Sequence, residues 1–328
     1  MEYQHDPAQT EKTRGMDKQM ITKKGIAFLR RYFVFYLAGI LMILGMKFYY
    51  RQAGCDSLLW ILAPTVWWVE FLSGLSFTYI PGTGYVDHGL CLLIAPSCSG
   101  VRFMIITFAT LVFSFVHVAA LPWKGTASGF TPGGKDAADG GPLSMKAKAA
   151  GFGWIAVSAV LSWLFTIFVN GLRIITAIYL PMYLEDAGFM KGALTQDRLH
   201  TMIGVAVYFI ALLTIYRLVG GAVQRAVRSV LPDREACAYF RNQAGDGSDN
   251  SGGNPLRLLL RKCVPPVFWY FVLTLGLPFL SRAGRGGSTA EFAEFAVLVS
   301  GCCGLILLPC VTMLFLREKR KRDTAGRR

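Results

Sequence analysis

Apolar runs close to the ~20 residues that an α-helix needs to cross a bilayer recur along this chain, and no other feature constrains its fold as tightly. Seven segments qualify, approximately Tyr32–Tyr50, Ser57–Ile80, Val101–Leu121, Ala150–Ile174, Thr201–Val219, Val264–Leu280 and Phe295–Leu316. Composition agrees, with 53% hydrophobic and 16% charged residues over 328 positions, where soluble domains carry about 25% charged residues. An ordinary cytosolic enzyme, a disordered chain and a small disulfide scaffold are excluded. The expected fold is an all-α integral membrane protein.

The net charge of +14 would suit a nucleic-acid partner, but its placement argues for a membrane and against nucleic acid. Residues Met1–Arg31, Pro122–Ala149, Arg217–Lys262 and Arg317–Arg328 hold 7, 4, 8 and 7 Lys/Arg, together 26 of the 34. The positive-inside rule puts all four stretches in the cytoplasm. The first run follows a long basic stretch and lacks a small-residue cleavage site, so it reads as a retained anchor. The Gly-rich parts Gly133–Gly141 and Gly245–Gly253 read as flexible loops.

Parity then becomes informative. An even number of crossings must separate the N-terminus from the Pro122–Ala149 stretch, yet three apolar segments lie between them. Ser57–Ile80 is the weakest, because it contains Pro64, Glu70, Gly74, Trp60, Trp67 and Trp68. Tryptophan favours the membrane interface, and a mid-bilayer carboxylate is costly. This segment is expected to be interfacial or re-entrant on the outer side, leaving six spanning helices and both termini inside.

That topology gathers three reactive side chains near the outer surface. Cys98 sits in Ala95-Pro-Ser-Cys-Ser-Gly-Val-Arg102, at the start of the third run. Arg173 sits in Asn170-Gly-Leu-Arg-Ile174, at the end of the fourth, and His200 precedes the fifth. A thiol, a guanidinium and an imidazole at one depth are the parts of a nucleophilic acyl-transfer site. Helix N-termini and nearby cations activate thiols, and Arg102, four residues on, is expected to share a helix face with Cys98. Arg173 is an isolated charge in an apolar helix, a position that marks function and suits an oxyanion or a carboxylate. His200 suits proton transfer. Each also has a structural reading: an inert buried thiol, an arginine snorkelling to the interface, and an imidazole hydrogen-bonded to water.

Other polar positions are weaker. His88, beside Asp87, reads as part of a Gly-flanked turn, and His117 lies too far along its helix to meet Cys98. Leu90–Ile94 fits either a short strand or the descending arm of a re-entrant loop. Of the 8 cysteines, Cys302, Cys303 and Cys310 lie within one apolar run and read as small hydrophobes. Cys55 and Cys91 could pair in an oxidising compartment. No Cys/His spacing suggests a metal, and no cofactor is implied.

With Pro96-Ser-Cys-Ser-Gly-Val-Arg102, Asn170-Gly-Leu-Arg-Ile174 and His200 followed by Gly204 and Tyr208, the chain resembles the exosortase/archaeosortase family of membrane-embedded cysteine transpeptidases. The order and spacing of the Cys-Ser-Gly, Asn-x-x-Arg and His motifs are similar, over roughly Leu62 to Leu218. The resemblance implies Cys98 as nucleophile, Arg173 as transition-state stabiliser and His200 as the proton-transfer residue, with Arg102 and Asn170 supporting. It further implies secreted substrates bearing a C-terminal sorting motif, helix and basic tail, cleaved outside the cytoplasmic membrane, and a lipid or glycan acceptor. Ser97 departs from the family, many of whose members have Ala there. The expected organisation is a basic segment 1–31, a catalytic core 32–219, a basic loop 220–263, a helical hairpin 264–316 and a basic tail 317–328. A membrane acyltransferase or intramembrane protease competes within enzymes. A transporter or channel competes outside them, although no inverted repeat is present. A serine hydrolase using Ser99 lacks the leading glycine of a nucleophile elbow.

Overall fold

A computed structural model describes residues 7–120, 143–186, 195–230, 264–283 and 289–325. The Gly-rich stretches Gly133–Gly141 and Gly245–Gly253, and most of the basic loop, lie outside the described residues. Helix α1 covers Pro7–Gln52, α2 Leu59–Ser73, α3 Val101–Ala119, α4 Met145–Asp186 and α5 Gln196–Val230. Helix α6 covers Val264–Leu280, with one π turn at Val272–Gly276, and α7 covers Thr289–Ala325. Between α2 and α3 lie strands β1 (Thr78–Ile80), β2 (Gly84–Asp87) and β3 (Leu92–Ile94).

Five helical stretches are long and apolar enough to cross a membrane: Ile26–Gln52, Pro96–Ala119 (α3 with the short 3₁₀ turn before it), Met145–Glu185, Asp197–Ser229 and Ala290–Pro309. The chain is thus an all-α membrane protein, with α6 a shorter apolar helix. Segment Ser57–Ile80 does not form a helix of spanning length. Helix α2 has 15 residues, about 22 Å of rise against the ~30 Å hydrocarbon core. Gly74 ends it in a left-handed conformation (φ 72°), donating its N–H to Glu70 O. The Glu70 carboxylate then accepts the Phe77 N–H at 2.7 Å, so the carboxylate holds the turn that leads into β1.

The transverse order of the antiparallel sheet is β1-β2-β3, with Tyr79 opposite Tyr85 and Tyr85 opposite Ile94. Leu92–Ile94 is therefore a strand. Asp56, in a short 3₁₀ turn before α2, accepts from the Tyr79 hydroxyl and the Gly82 N–H and so clamps the β1–β2 turn. Asp87 closes the next turn by accepting from the Gly89 and Leu90 N–H groups, with His88 exposed beside it. Cys55 is buried and Cys91 exposed, and both are free thiols rather than a pair.

Helix α3 is the centre of the bundle. It packs against α1, α4 and α5, while α2 lies on α4 and α7 on α5. Its burial on nearly every side explains why its sequence is apolar all round. Both α3 and α4 carry buried small hydroxyl residues, Thr107 and Thr110 on α3 and Ser162 and Thr166 on α4, a composition common in membrane helices that approach closely. Beside α5, a second cluster joins Phe209 and Leu212 to Tyr270 of α6 and Val299 and Cys303 of α7.

Candidate active site

Cys98 ends a 3₁₀ turn, Pro96–Cys98, just before the start of α3. Its N–H donates to Ala95 O at 2.8 Å, and the Tyr50 hydroxyl reaches Pro96 O at 3.5 Å. Gly100 separates this turn from α3 in the left-handed region, φ 74°. That break removes the continuous helical register on which a shared face for Cys98 and Arg102 depends. Arg102 is exposed, whereas Cys98 is half-buried. Gly100 is required twice over, for its φ and for close approach. A Cβ there would lie 2.9 Å from Asn170 Cγ and 3.0 Å from Thr166 Cγ2.

That approach brings the Cys98 turn against α4. Fully buried Asn170 donates from Nδ2 to Cys98 O at 2.6 Å, and its Oδ1 accepts from the Tyr208 hydroxyl at 2.7 Å. The amide orientation follows from chemistry, since a backbone carbonyl can only accept and must face the NH₂ group. Tyr208 is itself held by stacking on Phe103, with ring centroids 4.5 Å apart.

Arg173 lies three residues after Asn170 and so on the same side of α4. It does not end the helix, which continues to Asp186. Its guanidinium carbon lies 5.7 Å from the centre of the Tyr208 ring, within cation–π range. Its Nη2 is 2.7 Å from His200 Nε2. A guanidinium has no acceptor, so His200 Nε2 receives this bond through its lone pair and the ring is neutral, with its proton on Nδ1. Arg173 is 9% exposed, its Nε has no hydrogen-bond partner, and among the described residues no carboxylate pairs with it. Gly204 leaves the room: a Cβ there would lie 3.3 Å from Arg173 Nε. A buried cation with unused donors and no counter-charge is suited to an anion that arrives or develops there.

The residues singled out in the sequence fall into two linked pairs. Asn170 grips the backbone of Cys98, Arg173 bonds His200, and Tyr208 touches both Asn170 and Arg173. The Cys98 thiol makes no hydrogen bond to Arg173 or His200. His117 packs near Phe28 and Tyr32, about 25 Å along α3 from Gly100. Among the described residues no group of three His, Cys, Asp or Glu could hold a metal. Tyr208 is the linking residue that the sequence motifs alone do not single out for this role. Its signal is the four-residue spacing of His200, Gly204 and Tyr208, which puts an imidazole, a gap and a phenol along one side of α5. Arg198, beside His200, pairs with Glu294 of α7 at 2.5 Å, tying the C-terminal helix to this end of α5.

Comparison of the chain with protein-family models, with curated proteins and with solved structures gives no match.

Proposed function

We propose that this chain is a cysteine transpeptidase of the exosortase type, working at the extracytoplasmic face of the cytoplasmic membrane on the C-terminal sorting signals of secreted proteins. The Cys98 thiol gives its proton to His200, and the thiolate attacks the scissile carbonyl carbon. The carbonyl π electrons move onto oxygen, and the Arg173 donors hold the resulting oxyanion. Binding of the substrate carbonyl oxygen draws Arg173 from His200 Nε2 and so frees that lone pair for the thiol proton before the attack. Collapse breaks the C–N bond, and the imidazolium returns the proton to the leaving amine. The acyl group then sits on Cys98 as a thioester; a lipid or glycan hydroxyl or amine gives its proton to His200 and attacks the thioester carbonyl, the C–S bond breaks, and the Cys98 thiolate that leaves takes the proton back.

The observation carrying this reading is the buried Arg173. It is bonded to His200 at 2.7 Å, lacks a carboxylate partner among the described residues, and lies one helical turn from the Asn170 that holds the nucleophile turn. The test is processing of epitope-tagged secreted proteins that end in an apolar helix and a basic tail, co-expressed with wild-type or Cys98→Ala chain at matched abundance. Loss of the C-terminal segment with the wild type and its retention with the variant is the expected result. Equal processing by both overturns it.

A further inference from the structure

The three-stranded sheet between α2 and α3 has two edges, and they are not alike. In the order β1-β2-β3, β1 lies beside the Asp56 clamp, whereas β3 runs into the Cys98 turn. Opposed residues of an antiparallel pair alternate between exchanging both hydrogen bonds and exchanging none. Gly84 decides which residues of β3 face β2, because a Cβ there would lie 2.5 Å from Ile94 O. The Ile94 carbonyl therefore points at β2, where Ile94 stands opposite Tyr85. Alternation turns the Leu93 N–H and C=O the other way, out of the sheet edge. Among the described residues no further strand pairs with these groups, and no loop backbone bonds them.

An open edge is a template for another strand, and proteins commonly blunt one with lysine, proline or a bulge. Leu92-Leu-Ile94 carries none of these. Leu93 is 50% exposed, while Ile94 is buried. Ala95 continues the extended backbone, with φ −89° and ψ 170°, and its carbonyl accepts the Cys98 N–H at 2.8 Å. The open edge and the thiol therefore belong to one short, continuous piece of chain. A peptide paired with Leu93 would be held extended, its main chain supplying the affinity and its alternate side chains the selectivity. Such a strand rises about 3.3 Å per residue, so pairing at Leu93 sets a carbonyl only a few residues further along beside the Cys98 turn. We propose, resting on the acyl-transfer reading of Cys98, that the β3 edge receives the extended segment of the secreted substrate that precedes its apolar helix, as a further strand paired through Leu93.

Disulfide trapping on the full chain in membranes tests this. The chain carries Cys98→Ala to hold off the chemistry and Leu93→Cys as the reporter. Cys91→Gly removes a neighbouring exposed thiol at φ 52°, a conformation glycine adopts freely. The probe is the tagged secreted protein described above, freed of other cysteines and given single cysteines at successive positions before its apolar helix. After mild oxidation, disulfides are mapped by peptide mass spectrometry. Adducts to position 93 are expected at alternate probe positions, because successive side chains of a strand point to opposite faces. A period of about 3.6 residues, adducts at no position, or disulfides joining two copies of this chain through position 93 would overturn the proposal. As a second measurement, Leu93→Pro in the otherwise unchanged chain removes the outward N–H, a change that edge strands accept. It should raise the substrate level for half-maximal processing several-fold, the usual effect of losing one hydrogen bond; an unchanged level overturns the pairing. Alternate adducts with no processing by the wild-type chain would keep the edge and remove the transpeptidase reading, and processing without alternate adducts would do the reverse.

Discussion

At the scale of single residues, the site is a chain of obligatory contacts in which each partner limits what its neighbour can be. Arg173 provides a planar fork in a buried place where a lysine ammonium would be a point charge. Arg173→Lys should therefore lower turnover by about 10²–10³, the usual cost of losing one oxyanion donor, in the same processing assay. Cys98→Ser should be nearly inactive, because a serine hydroxyl is scarcely ionised near neutral pH and needs a stronger base. Tyr208→Phe keeps the ring beneath Arg173 but leaves Asn170 Oδ1 without its donor. The expected loss is about 1 kcal/mol, or several-fold in rate, and Tyr208→Leu should lose more because Arg173 then loses its platform. Gly204→Ala pushes on Arg173 Nε from 3.3 Å. A displacement of a few tenths of an ångström should cost several-fold in rate, given that about 1 Å costs 10²-fold. If Gly204→Ala were silent while Tyr208→Leu were severe, the packing at Gly204 would not be setting the guanidinium position. Cys98, Asn170, Arg173 and His200 are legible in sequence because polar groups in apolar runs stand out. Tyr208 is harder to read, since a tyrosine in a membrane helix has an ordinary packing use.

At the scale of elements, the apolar runs announce the long helices but not what lies between α2 and α3. Strands of three or four residues carry too little alternation to be distinguished, and they form here by pairing with one another and by the Asp56 clamp. Helix ends are also hard to read where polar residues extend a helix past its apolar window, as α4 does beyond Arg173. The clamp has a defined pH range. The hydrogen bonds from Tyr79 and Gly82 hold the exposed Asp56 carboxyl below its ordinary value, and the same carboxylate pushes the Tyr79 phenol up to about 12. The stabilisation is therefore full above the unfolded carboxyl value of about 4 and below the unfolded phenol value of about 10. It fades as acid protonates Asp56, and as base carries Tyr79 through about 12. Protection of the Gly82 amide, its exchange relative to an unstructured amide at the same pH, should be high near neutrality and fall in acid, and Asp56→Asn should lower it at neutral pH. Unchanged exchange in the variant would remove the clamp from the account. Glu70→Leu should still insert into membranes, because α2 is not a spanning helix, but it should speed exchange at Phe77 by removing the acceptor of that N–H. Failure to insert would show that α2 depends on the Glu70 carboxylate for its place in the membrane.

At the scale of the whole molecule, the distribution of basic residues and the parity of crossings organise everything else. The short α2 fits that reading, because it is the one apolar segment before the Pro122–Ala149 stretch that falls well below spanning length. Single cysteines at Gly133 and Gly247 should be labelled from the cytoplasmic side by a membrane-impermeant maleimide, and one at Thr83 from the outside. Gly84 is the wrong place for such a probe, since a Cβ there would sit 2.5 Å from Ile94 O. Labelling of Thr83 and Gly133 from the same side would break the topology on which the proposed outward orientation of the site depends. Covalent catalysis at Cys98 is read from the mass of the Cys98 peptide recovered from membranes during processing, before and after hydroxylamine. A peptidyl adduct on Cys98 that hydroxylamine removes is the expected result; a Cys98 that stays a free thiol while substrates are processed at full rate would rule out the thioester.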